Sequence, residues 1–180
     1  MPKLTVIDTE TTGKKAGIHE IIQLSAVLVD TETWKPVSTF TSLVRPRRTG
    51  LIDPEAMGVN QLKLEDLEKA PSSETVRSQF LEWWADLGSE DKINPCGWNY
   101  SFDERFLRLL LGEVEYDSLF LYKALDVYSV AFAAQLEGKL PKSLNLGLVD
   151  VADHFGLVHF AHNAGGDTYV TWKILKELIK

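Results

Sequence analysis

Leu4-Thr5-Val6-Ile7-Asp8-Thr9-Glu10-Thr11-Thr12-Gly13 is the stretch on which the fold turns. Its first half is apolar and β-branched, as a strand requires, and its second half sets two acids two residues apart. Successive strand side chains point to opposite faces, so Asp8 and Glu10 project together from the strand's end. Two carboxylates sharing one small volume repel each other unless protons or cations relieve them, and an oxygen-rich site of this kind suits Mg²⁺ or Mn²⁺. Taken alone, the pair is equally well a solvated strand end. Gly13 lets the chain turn sharply just beyond.

Outward from this strand, residues 22–30 form a long run of Val, Leu and Ile, and residues 40–44 a third strand. The connection around residues 31–36 is short enough for an antiparallel meander. Helical spacing follows: Val76, Phe80, Trp83, Trp84 and Leu87 recur at threes and fours on a helix beginning near Ser72 or Ser73. Residues 93–98 predict a short buried strand. Asn99 is placed to cap a helix carrying Phe102, Phe106, Leu109 and Leu110. A fifth strand is predicted over 123–127, a helix capped by Ser143 and stopped by Gly156, and a last helix over 164–179. Strands first and alternation afterwards predict an α/β fold, a central mixed five-stranded sheet flanked by helices. The stretch 45–71 is long for a connection, and long loops often carry function.

The 180 residues, 44% of them hydrophobic, suit one domain over 1–180 with a sizeable core. No stretch is apolar for the roughly 20 residues a membrane span needs, and residues 1–4 lack the apolar run of a signal peptide, so a cytoplasmic protein without a membrane partner is expected. Cys96 is the only cysteine, which excludes an internal disulfide and a thiolate cluster within one chain. A formal charge of −7 argues against a protein that coats nucleic acid through its overall field. It leaves room for a local site, because cations held by clustered acids reverse the local sign.

Three further residues stand out. Asp103 lies in the first turn of its helix, where an acid also suits the helix N-terminus. His162 precedes Asp167 by five residues, which on a continuous helix would set the two about 140° apart. They converge only if His162 lies before a helix starting at Asn163 or Ala164, leaving it on a loop as a movable general base. His154 and His159 read as ordinary surface or packed side chains.

Together these residues resemble the DnaQ-like 3′–5′ exonucleases of the DEDD group, in the histidine-bearing subclass. Asp8-Thr9-Glu10-Thr11-Thr12-Gly13 fits that family's first motif, Asn99-Tyr100-Ser101-Phe102-Asp103 its second, and His162-Asn163-Ala164-Gly165-Gly166-Asp167 its third. The resemblance implies a ribonuclease H-like fold with the four acids at one edge of the sheet. It implies that Asp8 bridges two divalent ions, Mg²⁺ or Mn²⁺, that Glu10 and Asp167 hold the ion binding the attacking water, and that Asp103 supports the second ion. Such a pair lies roughly 4 Å apart, one ion acidifying the water and the other stabilising the departing 3′ oxygen. His162 would take the water's proton, and a nucleoside 5′-monophosphate would leave.

The resemblance implies that the terminal nucleotide lies on the backbone and hydroxyls of Thr11 and Thr12, with Trp98, Asn99 and Tyr100 beside it and aromatic faces for stacking; Phe102 reads as core. Trp98 stands where family members often carry His. Gln61, in a segment from Ile52 to Gln61 that resembles a loop near the 3′ end, stands where a glycine is usual. Arg45, Arg47 and Arg48 form the one basic cluster, either facing upstream phosphates or solvated. DNA is the favoured polymer and RNA or short oligonucleotides the alternative. A polymerase is a further expected partner, a proofreading or docking subunit being the rival to a free-standing enzyme. Phosphatase chemistry fits less well, since it usually needs an aspartate in place of Glu10.

Overall fold

The computed structural model describes residues 3–60, 62–88, 91–158 and 163–180. Strands β1 (Lys3–Thr11), β2 (Ile21–Asp30) and β3 (Lys35–Leu43) form the antiparallel meander. A 3₁₀ turn at Thr49–Leu51 and helices α1 (Pro54–Asn60) and α2 (Leu64–Lys69) occupy most of the long connection, and α3 (Ser73–Asp86) follows. Then come β4 (Pro95–Gly97), α4 (Ser101–Leu111), α5 (Glu113–Leu119), β5 (Leu125–Asp126), α6 (Val127–Leu136), α7 (Leu148–His154) and α8 (Ala164–Leu178). The strand order is β3-β2-β1-β4-β5, with β4 parallel to β1 and β5 parallel to β4, so the sheet is the expected mixed one with β1 at its centre.

Alternation along β1 sorts the core. Leu4 and Val6 pack with Val27, Val29 and Cys96 beneath α6, α7 and α8. Ile7 packs on the other face with Leu24, Ala26 and Leu28, beneath α3, α4 and α5. Covered on both faces, β2 is buried along nearly its whole length, its polar Gln23 and Ser25 included. Helix α8 lies across β1 and β2 and buries Val170, Trp172, Ile174, Leu175 and Leu178, each worth roughly 1.5–3 kcal/mol of burial. On the even face of β1, the two positions after Val6 are Asp8 and Glu10, which therefore point toward the start of α8.

Several boundaries differ from the sequence reading. β3 begins at Lys35, not near residue 40, because pairing with β2 carries the polar residues Ser38 and Thr39 on an exposed edge. β4 and β5 are shorter than predicted; Ile93 instead forms an isolated bridge with Phe120. Ser143 caps no helix: α7 starts at Leu148 behind Gly147, because the Gln135 side chain donates to the carbonyls of Pro141 and Leu144, both at 2.9 Å, and holds that stretch as a loop. Asn99 does not cap α4 through its side chain either. It adopts a left-handed φ of 59°, its carbonyl accepts from Phe102 N at 2.9 Å, and its own N–H donates to Asp126 Oδ1 at 2.8 Å.

Candidate active site

Asp8 and Glu10 stand at the end of β1, where the register against β2 shifts between Glu10 and Thr11. Asp167 enters from the first turn of α8, whose start is fixed three times over. Asn163 Oδ1 accepts from Gly165 N (3.1 Å) and Gly166 N (3.3 Å), Ala164 N donates to Gln23 Oε1 on β2 (2.9 Å), and the Thr168 hydroxyl meets Ser25 Oγ (3.3 Å). Side-chain caps of this kind satisfy N–H groups that a helix start leaves unpaired. As a result, carboxylate oxygens of Asp8, Glu10 and Asp167 lie within 4.8 Å of one another.

Asp103 reaches the same strand from α4 and is 3% exposed. Its Oδ1 accepts from Thr9 N (2.9 Å) and from Thr9 Oγ1 (2.7 Å). Thr9 thus bolts the fourth acid to the strand between the other two, a role the sequence reading missed. The only signal was its position: a hydroxyl residue on the strand face opposite to Asp8 and Glu10.

The electrostatics follow from this crowding. Burial, then the charges of Asp103, Asp167 and Glu10, push the Asp8 carboxyl well above the ordinary range. Burial, then Asp167 and Asp103, push Glu10 up to about 7. Burial pushes Asp103 up to about 7 as well, against the two bonds from Thr9, which favour its charged form. A set of hard oxygen donors held so close is uncomfortable with its own charge, and this is the environment that divalent cations fit. The residues present can hold such ions; Asp8, Glu10 and Asp167 form the group that converges among the described residues, with Asp103 beside it.

The remaining expected residues divide. Thr11 and Thr12 are 7% and 2% exposed, and their hydroxyls are engaged, Thr11 Oγ1 donating to Gly13 O (2.9 Å) and Thr12 Oγ1 accepting from Glu20 N (2.9 Å). They shape the loop, and their hydroxyls are not open to a ligand. Gly13 is required there by close approach, since a Cβ would fall 2.5 Å from the His19 ring. Trp98 is half-buried with its ring edge-on to Tyr128, 6.3 Å between centroids, and Asn99 is exposed. Tyr100 is corrected: at 1% exposure it is a core residue whose hydroxyl pairs with that of Tyr116 at 2.8 Å, so its ring offers no stacking face. Phe102 packs against the core beside Phe106, as expected. His162, His159 and Gln61 lie outside the described residues. Among the described residues no helix is long and apolar enough to cross a membrane.

Comparison with known proteins agrees with this geometry. The family RNase_T, described as an exonuclease family, matches residues 5–175. DNA polymerase III subunit epsilon of Treponema pallidum is 30% identical over 179 residues, covering 97% of this chain and 75% of that protein. The 3′-5′ DNA exonuclease Cap18 of Escherichia coli is 27% identical over 161 residues, covering 88% of this chain and 83% of the relative. Among solved structures, the cell-death related nuclease CRN-4 superposes with a TM-score of 0.80 at 20% identity over 98% of this chain and 63% of its own. Exonuclease I gives 0.82 at 17% identity over the whole of this chain and 41% of its own. The nuclease domain of 3′hExo, a DEDDh family member, gives 0.71 at 18% identity over 98% of this chain and 91% of its own. These structures share the ribonuclease H-like sheet with its flanking helices. With the match running over nearly the full chain and the acids meeting where that sheet ends, the chain belongs to the RNase_T exonuclease family, among the DnaQ-like 3′–5′ exonucleases of the DEDDh group.

Proposed function

We propose that the chain, working as one exonuclease domain over residues 1–180, removes nucleotides from the 3′ end of DNA and releases nucleoside 5′-monophosphates. The observation that carries this reading is the convergence of Asp8, Glu10 and Asp167 within 4.8 Å, with Asp103 pinned to Thr9 beside them. In the proposal these four acids hold two divalent cations, Mg²⁺ or Mn²⁺, which supply acidification of water and stabilisation of the leaving 3′ oxygen. His162 accepts the proton of the attacking water, for which a group with an ordinary pKa near 6.5 is suited. Trp98 and Asn99 flank the terminal nucleotide, and Thr11 and Thr12 contribute main chain to it. DNA is preferred as substrate because the two relatives described above act, by their names, on DNA or in its synthesis. A reduced, buried Cys96 suits a cytoplasmic setting.

A second reading, a proofreading subunit bound to a polymerase, is favoured by the 30% identity to subunit epsilon over 97% of this chain. Digestion of matched DNA and RNA oligonucleotides labelled at the 5′ end, with Mg²⁺ or with chelator, tests the activity. A ladder shortening from the 3′ end of DNA only in Mg²⁺ is expected. Internal fragments, or hydrolysis that survives chelation, would overturn the reading; a ladder confined to RNA would reassign the polymer. Co-purification with a polymerase would decide for the subunit.

A further inference from the structure

The loop before β2, the segment after β3, the start of α3 and the end of α4 enclose a cleft of about 400 Å³. That is room for a nucleotide-sized group. Four of the chain's six arginines line it: Arg45, Arg47, Arg48 and Arg77. In a chain of net charge −7 this is a marked local reversal of sign. Among the described residues two carboxylates, those of Glu20 and Glu74, share the lining with the four guanidiniums. Glu20 accepts from the main-chain N–H groups of Arg47 (3.0 Å) and Arg48 (2.8 Å), so main chain as well as side chain meets its charge. Glu74 takes Arg47 Nη1 at 2.8 Å.

Two of the guanidiniums keep donors in hand. The Arg45 side chain makes no hydrogen bond or ion pair among the described residues, its main-chain N–H alone being engaged, with Pro71 O at 2.8 Å. Arg77 Nε is buried with no acceptor among the described residues, although its Nη2 lies 3.5 Å from Glu115 Oε2. A buried N–H left unpaired is costly, and a phosphate oxygen is the acceptor that a guanidinium fork matches best. Exposed Leu109 and partly buried Leu110 give the cleft an apolar wall against which a base or sugar can rest.

The cleft is also tied to the reacting end. Thr12 N donates to Glu20 O (2.8 Å) and Glu20 N to Thr12 Oγ1 (2.9 Å), two residues beyond Glu10. Two residues of extended chain and one inter-strand step span on the order of 10–15 Å.

We propose that this arginine cleft is a second nucleic-acid subsite, which holds a phosphate of the substrate strand upstream of the reacting 3′ end; it rests on the 3′–5′ exonuclease reading above. The test compares Arg45→Ala, Arg45→Ala/Arg77→Ala and Lys3→Ala with the unaltered chain. Lys3 is exposed at the opposite end of β1 and serves as the charge control. Two readouts are taken on single-stranded dinucleotide and octanucleotide substrates: KM and kcat in Mg²⁺, and the salt dependence of octanucleotide binding in chelator. The double variant is expected to raise KM for the octanucleotide about five- to tenfold, leaving kcat and the dinucleotide constants unchanged. The slope of log K against log salt is expected to fall by about 0.7 for each arginine removed, and Lys3→Ala to change nothing. Arg45→Ala alone breaks no side-chain hydrogen bond or ion pair among the described residues, so its slope decides the matter should the double variant fold poorly. An octanucleotide KM and slope equal to those of the unaltered chain, or an equal loss on the dinucleotide, would overturn the proposal. If the unaltered chain hydrolyses nothing, the activity reading fails by itself, and the binding slope still decides on the cleft.

Discussion

At the scale of single residues, the site is a collection of charges that the fold holds closer than water would allow. Asp8→Asn removes the buried carboxyl whose pKa burial and its neighbours Asp103, Asp167 and Glu10 push up. Turnover should fall by at least about a thousandfold, since stabilisation worth several kcal/mol is lost with a metal ligand. The same change should raise the melting temperature of the metal-free protein at pH 8 by about 2–4 °C, the shift that roughly 1 kcal/mol makes in a chain of this size. Thermal unfolding in chelator checks it. A linked outcome concerns pH. Glu10 and Asp103 titrate at about 7 in the fold, whereas unfolded carboxyls titrate near 4. The folded chain therefore keeps protons that the unfolded chain has already lost. Their stabilising contribution is complete below about pH 4 and disappears as the pH rises through about 7. The metal-free melting temperature should decline from pH 5 to pH 8, and saturating Mg²⁺ should abolish the decline. The acids themselves were legible in the sequence, because their spacing and order form motifs. Thr9 was not, because a threonine between two acids looks ordinary until Asp103, 94 residues away, is seen on its N–H and hydroxyl. Tyr100 misled for a related reason, since an aromatic beside a motif gives no sign of which way its ring turns.

At the scale of elements, the position of Asp167 depends on how α8 begins. Asn163→Ala removes the side chain that accepts from Gly165 and Gly166, at a cost of about 1 kcal/mol. Because Asp167 lies in that first turn, the variant should also need more Mg²⁺ for half-maximal activity, whereas Asn163→Asp should retain both properties. Melting curves with a Mg²⁺ titration of the rate separate the two effects. The sequence disclosed elements whose pattern has one clear period. α3 and α8 have capping residues, Ser72 and Asn163, and apolar stripes, and were read to within a residue or two. α6 was overlooked because Val127-Tyr128-Ser129-Val130-Ala131-Phe132-Ala133-Ala134 is apolar nearly all round and shows no stripe. α1, α2 and α5 are a turn or two long, too short to register against a loop background. β4 and β5 are fixed by their neighbours across the sheet, which is information a local window does not hold.

At the scale of the molecule, two cores share one sheet, and only one of them bears the face on which Asp8 and Glu10 stand. Phe80, fully buried on the other face, meets Phe40 edge-on at 5.4 Å and stacks on Phe120 at 6.4 Å. Phe80→Ala should cost about 3–5 kcal/mol in denaturant unfolding while leaving kcat per folded molecule near its original value. A kcat that fell with the stability would mean that the two cores are mechanically coupled. The sheet also has two very unequal rims. One is β5, two residues long; the other is β3, nine residues long, with Val37 half exposed and its outer main chain facing away from β2. Such a rim invites a second molecule to zip onto it and seed fibrils. Lys35, Pro36 and the register shift between Leu28 and Val29 sit at one end of this rim, where a charge, a missing N–H and a local twist all discourage adhesion. Lys35→Val/Pro36→Val should therefore leave catalysis intact while making concentrated solutions scatter light, so that colloidal behaviour rather than chemistry limits what this end of the hairpin can accept.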